Sequence, residues 1–178
     1  MTSSCDPAYA PAGDVDAALM MVDSRLKSVH GGKADADPEG QALFDQYVAS
    51  LGPGGLDDLV DGTCTLIYML MVWLRKAHEA EGKDAIEYVV PTLVTTLSRM
   101  PKSVPPESIP MMAGLVVACA TGLSPSLWRA QYGDWTPPEL TPLEATAFLL
   151  ADHINRIADD NDFATRLIAD ALSQAYED

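Results

Sequence analysis

The residues best suited to chemistry lie near the C-terminal end of the sequence, where four aspartates accompany a histidine. They are Asp152, His153, Asp159, Asp160 and Asp162. Carboxylate and imidazole groups bind divalent cations, and a helical site places them three or four positions apart on one face. No such pair falls on an apolar face here, and the run lacks the spacing of an EF-hand loop. Because Asp and Asn also favour helix ends, we expect this run to cap helices, and we predict no metal site and no cofactor.

The other two histidines, His30 and His78, each lie at the predicted end of a helix. No second histidine follows His78 at the fourth position, so the zinc-protease pattern HExxH is absent. A histidine near a helix C-terminus is favoured by the helix dipole without any catalytic role. The GxSxG nucleophile motif and the glycine-rich phosphate loops are also missing. The sequence therefore assigns no catalytic residue, and a small helical enzyme is the third interpretation of its function.

The best candidate binding residues are the aromatic and basic side chains of one short segment. They are Trp128, Arg129, Tyr132 and Trp135. Trp, Tyr and Arg are the residue types that dominate interface hot spots, so we predict that this segment binds a partner or a ligand. In the alternative interpretation, the two tryptophans close one end of the fold and Arg129 pairs with a nearby carboxylate.

An uncharged stretch leads directly into this segment. Residues 103–128 contain one charged residue, Glu107, although the whole chain has a net charge of -15. Such a stretch must be buried in the fold, in an oligomer or around a ligand. It indicates where the core or an interface lies, but not which chemistry it serves.

The bulk composition excludes several classes of function. The chain has 178 residues, 48% of them hydrophobic and 21% charged, which is typical of one globular domain. Its acidity, with no basic cluster beyond Arg75 and Lys76, argues against binding to nucleic acid or to an anionic membrane surface. Three widely spaced cysteines without a CxxC motif argue against a disulfide framework and the usual zinc sites. The use of Ala, Asp, Gly and Pro is typical of high-GC bacteria.

The predicted location is the cytoplasm. The N-terminal segment lacks the basic and apolar regions of a signal peptide. The longest apolar run, residues 66–74, is shorter than a membrane span. We expect residues 1–13 to form a disordered tail and residues 14–178 to form a single domain.

Helical periodicity recurs along this domain, and no segment shows the period-two alternation of strands. The fold class predicted is all-α, a bundle of seven or eight helices. The predicted helices cover residues 14–29, 37–51, 57–80, 84–100, 108–121, 124–133, 141–158 and 163–176. Residues 66–74 are apolar on every face, so their long helix should be central and surrounded by the others. We expect residues 52–55 to be a loop, a kink at Pro91, and a capping box formed by Thr141 and Glu144.

The leading interpretation is a non-enzymatic, regulatory or accessory module that binds a protein partner or a copy of itself. The second is a helical protein that binds an apolar small molecule in a pocket lined by Met and Trp. That pocket would lie between the long central helix and helix 108–121, since Met adapts to irregular apolar partners. An exposed apolar patch would favour the first interpretation and a Met- and Trp-lined pocket the second. Converging His and Asp side chains in a cleft would favour an enzyme.

Overall fold

The computed structural model describes residues 11–30, 46 and 53–177, and these residues form an all-α bundle. The α-helices are α1 (Ala12–His30), α2 (Pro53–Glu79), α3 (Ala85–Leu97), α4 (Ile109–Ala120), α5 (Pro125–Arg129), α6 (Leu140–Ala158) and α7 (Phe163–Glu177). Two 3-10 turns, Pro106–Ser108 and Pro137–Glu139, lead into α4 and α6. The predicted all-α class is confirmed. The helix predicted at 37–51 and most of the predicted tail lie outside the described residues.

The long helix α2 is central, as predicted, because it packs against each of the other six helices. One side of its apolar run is fully buried in the core. This side consists of Leu66, Ile67, Leu70, Met71 and Leu74. The remaining members of the run are only half-buried, among them Met69 and Trp73. Within the described ranges, no helix has both the length and the apolar character needed to cross a bilayer.

Helix α1 lies very close to the first half of α2. Its apolar stripe of Val15, Leu19, Val22 and Leu26 is buried. At Gly62, an added Cβ atom would lie 2.6 Å from the carbonyl carbon of Asp14. Only a residue without a side chain permits this approach of two backbones.

Two predicted features of helix starts are wrong. Pro53 and the glycines after it form the first turn of α2, where a loop was expected, because proline is well suited to the first position of a helix. The predicted capping box at Thr141 and Glu144 is also wrong. The box is formed by Thr136 and Glu139, whose carboxylate accepts a hydrogen bond from the backbone N–H of Thr136 at 3.1 Å.

Other predicted signals are found where expected. The carboxylate of Asp84 caps α3 by accepting a hydrogen bond from the backbone N–H of Ile86 at 2.9 Å. Helix α3 continues through Pro91 without a break. At the end of α6, Asp159 adopts a left-handed conformation with φ of 53°. Asp160 then accepts a hydrogen bond from the backbone N–H of Asp162, so the acidic run caps helices as predicted.

Candidate functional site

Arg129, one of the four predicted binding residues, lies buried between α5 and the start of α6. Its guanidinium donates two hydrogen bonds to the carboxylate of Glu139, at 2.7 and 2.8 Å. It also donates to the carbonyl oxygens of Gly133 and Asp134, both at 2.9 Å. Arg129 therefore ties the segment that follows α5 to the 3-10 turn that leads into α6.

The ring of Trp135 completes this arrangement. The Cζ atom of Arg129 lies 4.0 Å from the centroid of that ring, a cation–π contact. Burial of Glu139 opposes its ionisation, but the hydrogen bonds from Arg129 and Thr136 outweigh this effect and lower its pKa. This geometry agrees with the alternative interpretation of Arg129, in which it pairs with an internal carboxylate.

The other two predicted residues lie nearer the surface. The Trp128 ring covers Gly114 of α4 so closely that a Cβ atom there would lie 2.7 Å from it. The Trp128 ring also contacts that of Tyr132, with the two ring centroids 5.2 Å apart. Tyr132 is 57% exposed, whereas Trp128 is half-buried.

Two exposed leucines lie in the same part of the chain. Leu123 is 42% exposed and Leu127 is 48% exposed. Together with Trp128 and Tyr132 they form what we call the α5 apolar surface, which falls within the uncharged stretch and just after it. Sequence reasoning found its aromatic half and missed the leucines, because nothing in the local sequence shows that they point outwards.

A second cluster brings together all three histidines of the chain around α6. His30, at the end of α1, places its Nε2 atom 3.4 Å from the carboxylate of Asp152. The guanidinium of Arg156 also pairs with the Asp152 carboxylate, at a nitrogen–oxygen distance of 2.8 Å. His78, at the end of α2, stacks on His153 with the ring centroids 6.2 Å apart and the planes within 6° of parallel.

The two stacked histidines have different surroundings. His78 is buried, and its Nδ1 atom lies 2.8 Å from the carbonyl oxygen of Leu74, which requires a proton on Nδ1. In His153 the Nε2 atom is buried and has no hydrogen-bond partner in the described part of the chain. Burial lowers the pKa of His153, and the charges of His78 and Arg156 lower it further, against the opposite effect of Asp152. Burial and these neighbouring charges therefore favour the neutral form of His153.

An open groove between α3 and α6 lies beside this cluster. Its cavity volume is about 70 Å³. Val89, Leu93 and Leu150 supply apolar contacts, and the polar groups come from Thr92, Thr96, Asp152, His153 and Arg156. The groove differs in place and composition from the predicted Met- and Trp-lined pocket, since no Met or Trp lines it. Within the described ranges, this cluster included, no group of three or more His, Cys, Asp or Glu could hold a metal ion.

Sequence reasoning considered each of these histidines separately and did not bring them together. Asp14 meets Gly62 near the starts of α1 and α2, while His30 and His78 at their ends both reach α6. The two helices therefore run in the same direction. The sequence did contain one signal for this arrangement, the length of the chain between α1 and α2, because two helices that run in parallel need a long connection.

Comparison with known proteins adds no further constraint. The chain matches no protein-family model, no curated protein and no solved structure at a significant level. The α5 apolar surface and the groove between α3 and α6 are therefore the features from which a function can be inferred.

Proposed function

We propose that the protein works by binding another protein chain through the α5 apolar surface, and that it is not an enzyme. The observation that carries this proposal is the exposure of Leu123, Leu127 and Tyr132 next to an uncharged stretch of a very acidic chain. Single exposed apolar residues are normal on protein surfaces. Three of them beside a half-buried tryptophan have the composition of an interface core with few charges.

The contacts beneath the surface support this proposal. Arg129 and Trp135 hold the backbone that carries Trp128 and Tyr132. A surface that is already ordered loses little conformational entropy on binding, so more of the contact energy appears as affinity. Of the four residues predicted from the sequence, two would then contact the partner and two would position them.

The partner that fits this surface is a second copy of the chain. Two copies with a net charge of -15 each repel one another in most relative orientations. Repulsion is weakest where the uncharged surfaces face each other, and a two-fold axis places Leu123 and Leu127 of one copy against those of the other. Because salt screens the remaining repulsion, we expect association to strengthen with ionic strength.

The proposal keeps the cytoplasm of a bacterium as the location. Cys64 and Cys119 are buried in α2 and α4, which suits a reducing compartment, where structural disulfides are rare. The acidic charge supports the proposal that nucleic acid is not the partner.

The test is sedimentation velocity of the full chain over a wide range of protein and salt concentrations. We expect a reversible dimer, and we expect Leu127→Asp to abolish it by placing two carboxylates in the interface. The matched control is Met20→Asp on α1, where an apolar side chain is 67% exposed far along the chain from α5. This variant should dimerise like the wild type, and both variants should keep the wild-type circular dichroism.

A wild-type chain that stays monomeric under all these conditions would overturn self-association. The α5 apolar surface would be the wrong interface if Leu127→Asp dimerised normally or if Met20→Asp weakened the dimer equally.

A further inference from the structure

The groove between α3 and α6 presents hydrogen-bond donors and acceptors around an apolar floor. We propose that it binds a small carboxylate that also carries a hydroxyl or amino group, such as a short 2-hydroxy or 2-amino acid. This inference does not depend on the α5 apolar surface, which uses other residues.

The donors are suited to a carboxylate. The Arg156 side chain is 78% exposed and uses one N–H group on Asp152. A guanidinium has five N–H groups in a planar fork, so Arg156 retains enough donors for a bidentate contact with a ligand carboxylate. His153 also lines the groove, although its Nε2 atom is buried.

The acceptors are suited to a hydroxyl or amino group on the ligand. The hydroxyl of Thr96 donates to the backbone carbonyl oxygen of Thr92 at 2.9 Å, and the hydroxyl of Thr92 donates to the backbone carbonyl oxygen of Tyr88 at 3.5 Å. Each threonine oxygen keeps lone pairs that can accept a hydrogen bond from a ligand. The carboxylate of Asp152 is a further acceptor, and its charge is balanced by Arg156 and by His30 when His30 is protonated.

The size of the groove limits the ligand. A cavity volume of about 70 Å³ accommodates about five water-sized groups, since one such group needs roughly 10–15 Å³. The apolar contacts from Val89, Leu93 and Leu150 match a short carbon chain. Lactate and alanine both have this size. Each has a carboxylate and, on the adjacent carbon, a hydrogen-bond donor, which is a hydroxyl in lactate and an amino group in alanine.

The experiment is a titration of the ¹⁵N-labelled full chain, followed by two-dimensional NMR, with lactate, alanine, acetate and sulfate as separate probes. We expect lactate or alanine to shift the amide signals of Thr92, Thr96 and His153 in a saturable way. The Kd should be on the order of 1 mM, as expected for a ligand of about six non-hydrogen atoms.

Two variants and one control assign the contacts. Arg156→Gln keeps a polar side chain of similar reach but loses the guanidinium, and should weaken lactate binding at least about tenfold. Thr96→Val should weaken lactate more than acetate, because acetate has no hydroxyl to donate. Arg166→Gln removes another exposed arginine, one that pairs with Asp160 outside the groove, and should bind like the wild type.

Three outcomes would overturn the proposal. The first is the absence of saturable shifts at the groove with lactate and with alanine. The second is equal lactate binding by Arg156→Gln and the wild type, with melting temperatures showing that both are folded. The third is equal affinity for sulfate, acetate and lactate, which would indicate a general anion site instead of the proposed one.

Discussion

Replacing Arg129 with alanine removes the group that joins the α5 segment to the start of α6. The change deletes two hydrogen bonds to the Glu139 carboxylate and two to backbone carbonyl oxygens. It also removes the cation–π contact with Trp135. We expect a large loss of stability, in contrast to the small effect of most surface arginines.

The magnitude follows from what remains after the change. Removing one partner of a buried ion pair costs about 3–5 kcal/mol, because the other charge stays behind without compensation. The Glu139 side chain is 20% exposed, so water can reach it in part. We therefore expect the lower end of that range, about 3 kcal/mol, which for a domain of this size lowers Tm by about 6–12 °C.

The assay is urea unfolding of wild type and Arg129→Ala at neutral pH and again in acid. The folded-state pKa of Glu139 is below its ordinary value of 4.5. Its contribution to stability is therefore complete above that value and is lost as the pH falls through the folded-state pKa. The difference between wild type and variant should shrink in the same acid range.

The control is Arg166→Ala, which removes an exposed arginine that pairs with Asp160 and should have little effect on stability. The structural role assigned to Arg129 would be refuted if Arg129→Ala unfolded at the wild-type urea concentration. If Arg129→Ala kept the wild-type stability but lost self-association, Arg129 would contact the partner directly, as the sequence first suggested.

Two further predictions concern the packing of α1 and of the histidines. Gly62→Ala should destabilise the protein by about 1–3 kcal/mol, because the new methyl group meets the backbone of Asp14. Urea unfolding measures this loss, and unchanged stability would show that α1 can move aside. The folded-state pKa of His153 is below its ordinary value of 6.5. The contribution of neutral His153 to the free energy of unfolding should therefore be complete above that pH, and it should be lost as the pH falls from there through the folded-state pKa. In His153→Gln this part of the pH dependence should be reduced, whereas an unchanged profile would show that His153 is not its source.

Local signals in the sequence located most of the helices. They could not decide which of two similar capping patterns starts a helix. Thr136-Pro137-Pro138-Glu139 and Thr141-Pro142-Leu143-Glu144 share the pattern Thr-Pro-x-Glu, and each could start a helix. The structure uses the first, while Glu144 lies buried against Arg25 of α1. Burial raises the pKa of Glu144, against the opposite effect of Arg25. This choice depends on a residue 119 positions away, so no local pattern could predict it.

The two candidate sites were predictable from the sequence to different degrees, because one depends on local spacing and the other on the packing of distant helices. Trp128 and Tyr132 lie four positions apart in the predicted helix 124–133, so their contact could be expected from helical spacing, although α5 ends at Arg129. The approach of His30 and His78 to Asp152 and His153 instead requires that α1 and α2 run parallel and end together beside α6. Residue types alone identify these groups as capable of chemistry, but only the packing of three helices makes them neighbours.

The contacts of α1 also have a consequence for the synthesis of this protein. Arg25 pairs with Glu144, and Asp23 accepts a hydrogen bond from Thr165, which lies 142 positions later. While the ribosome is still translating the middle of the chain, α1 and α2 can meet, but the faces that α6 and α7 will cover remain open to water. The bundle cannot close until both helices have left the exit tunnel, so the nascent chain exposes apolar side chains until late in its synthesis.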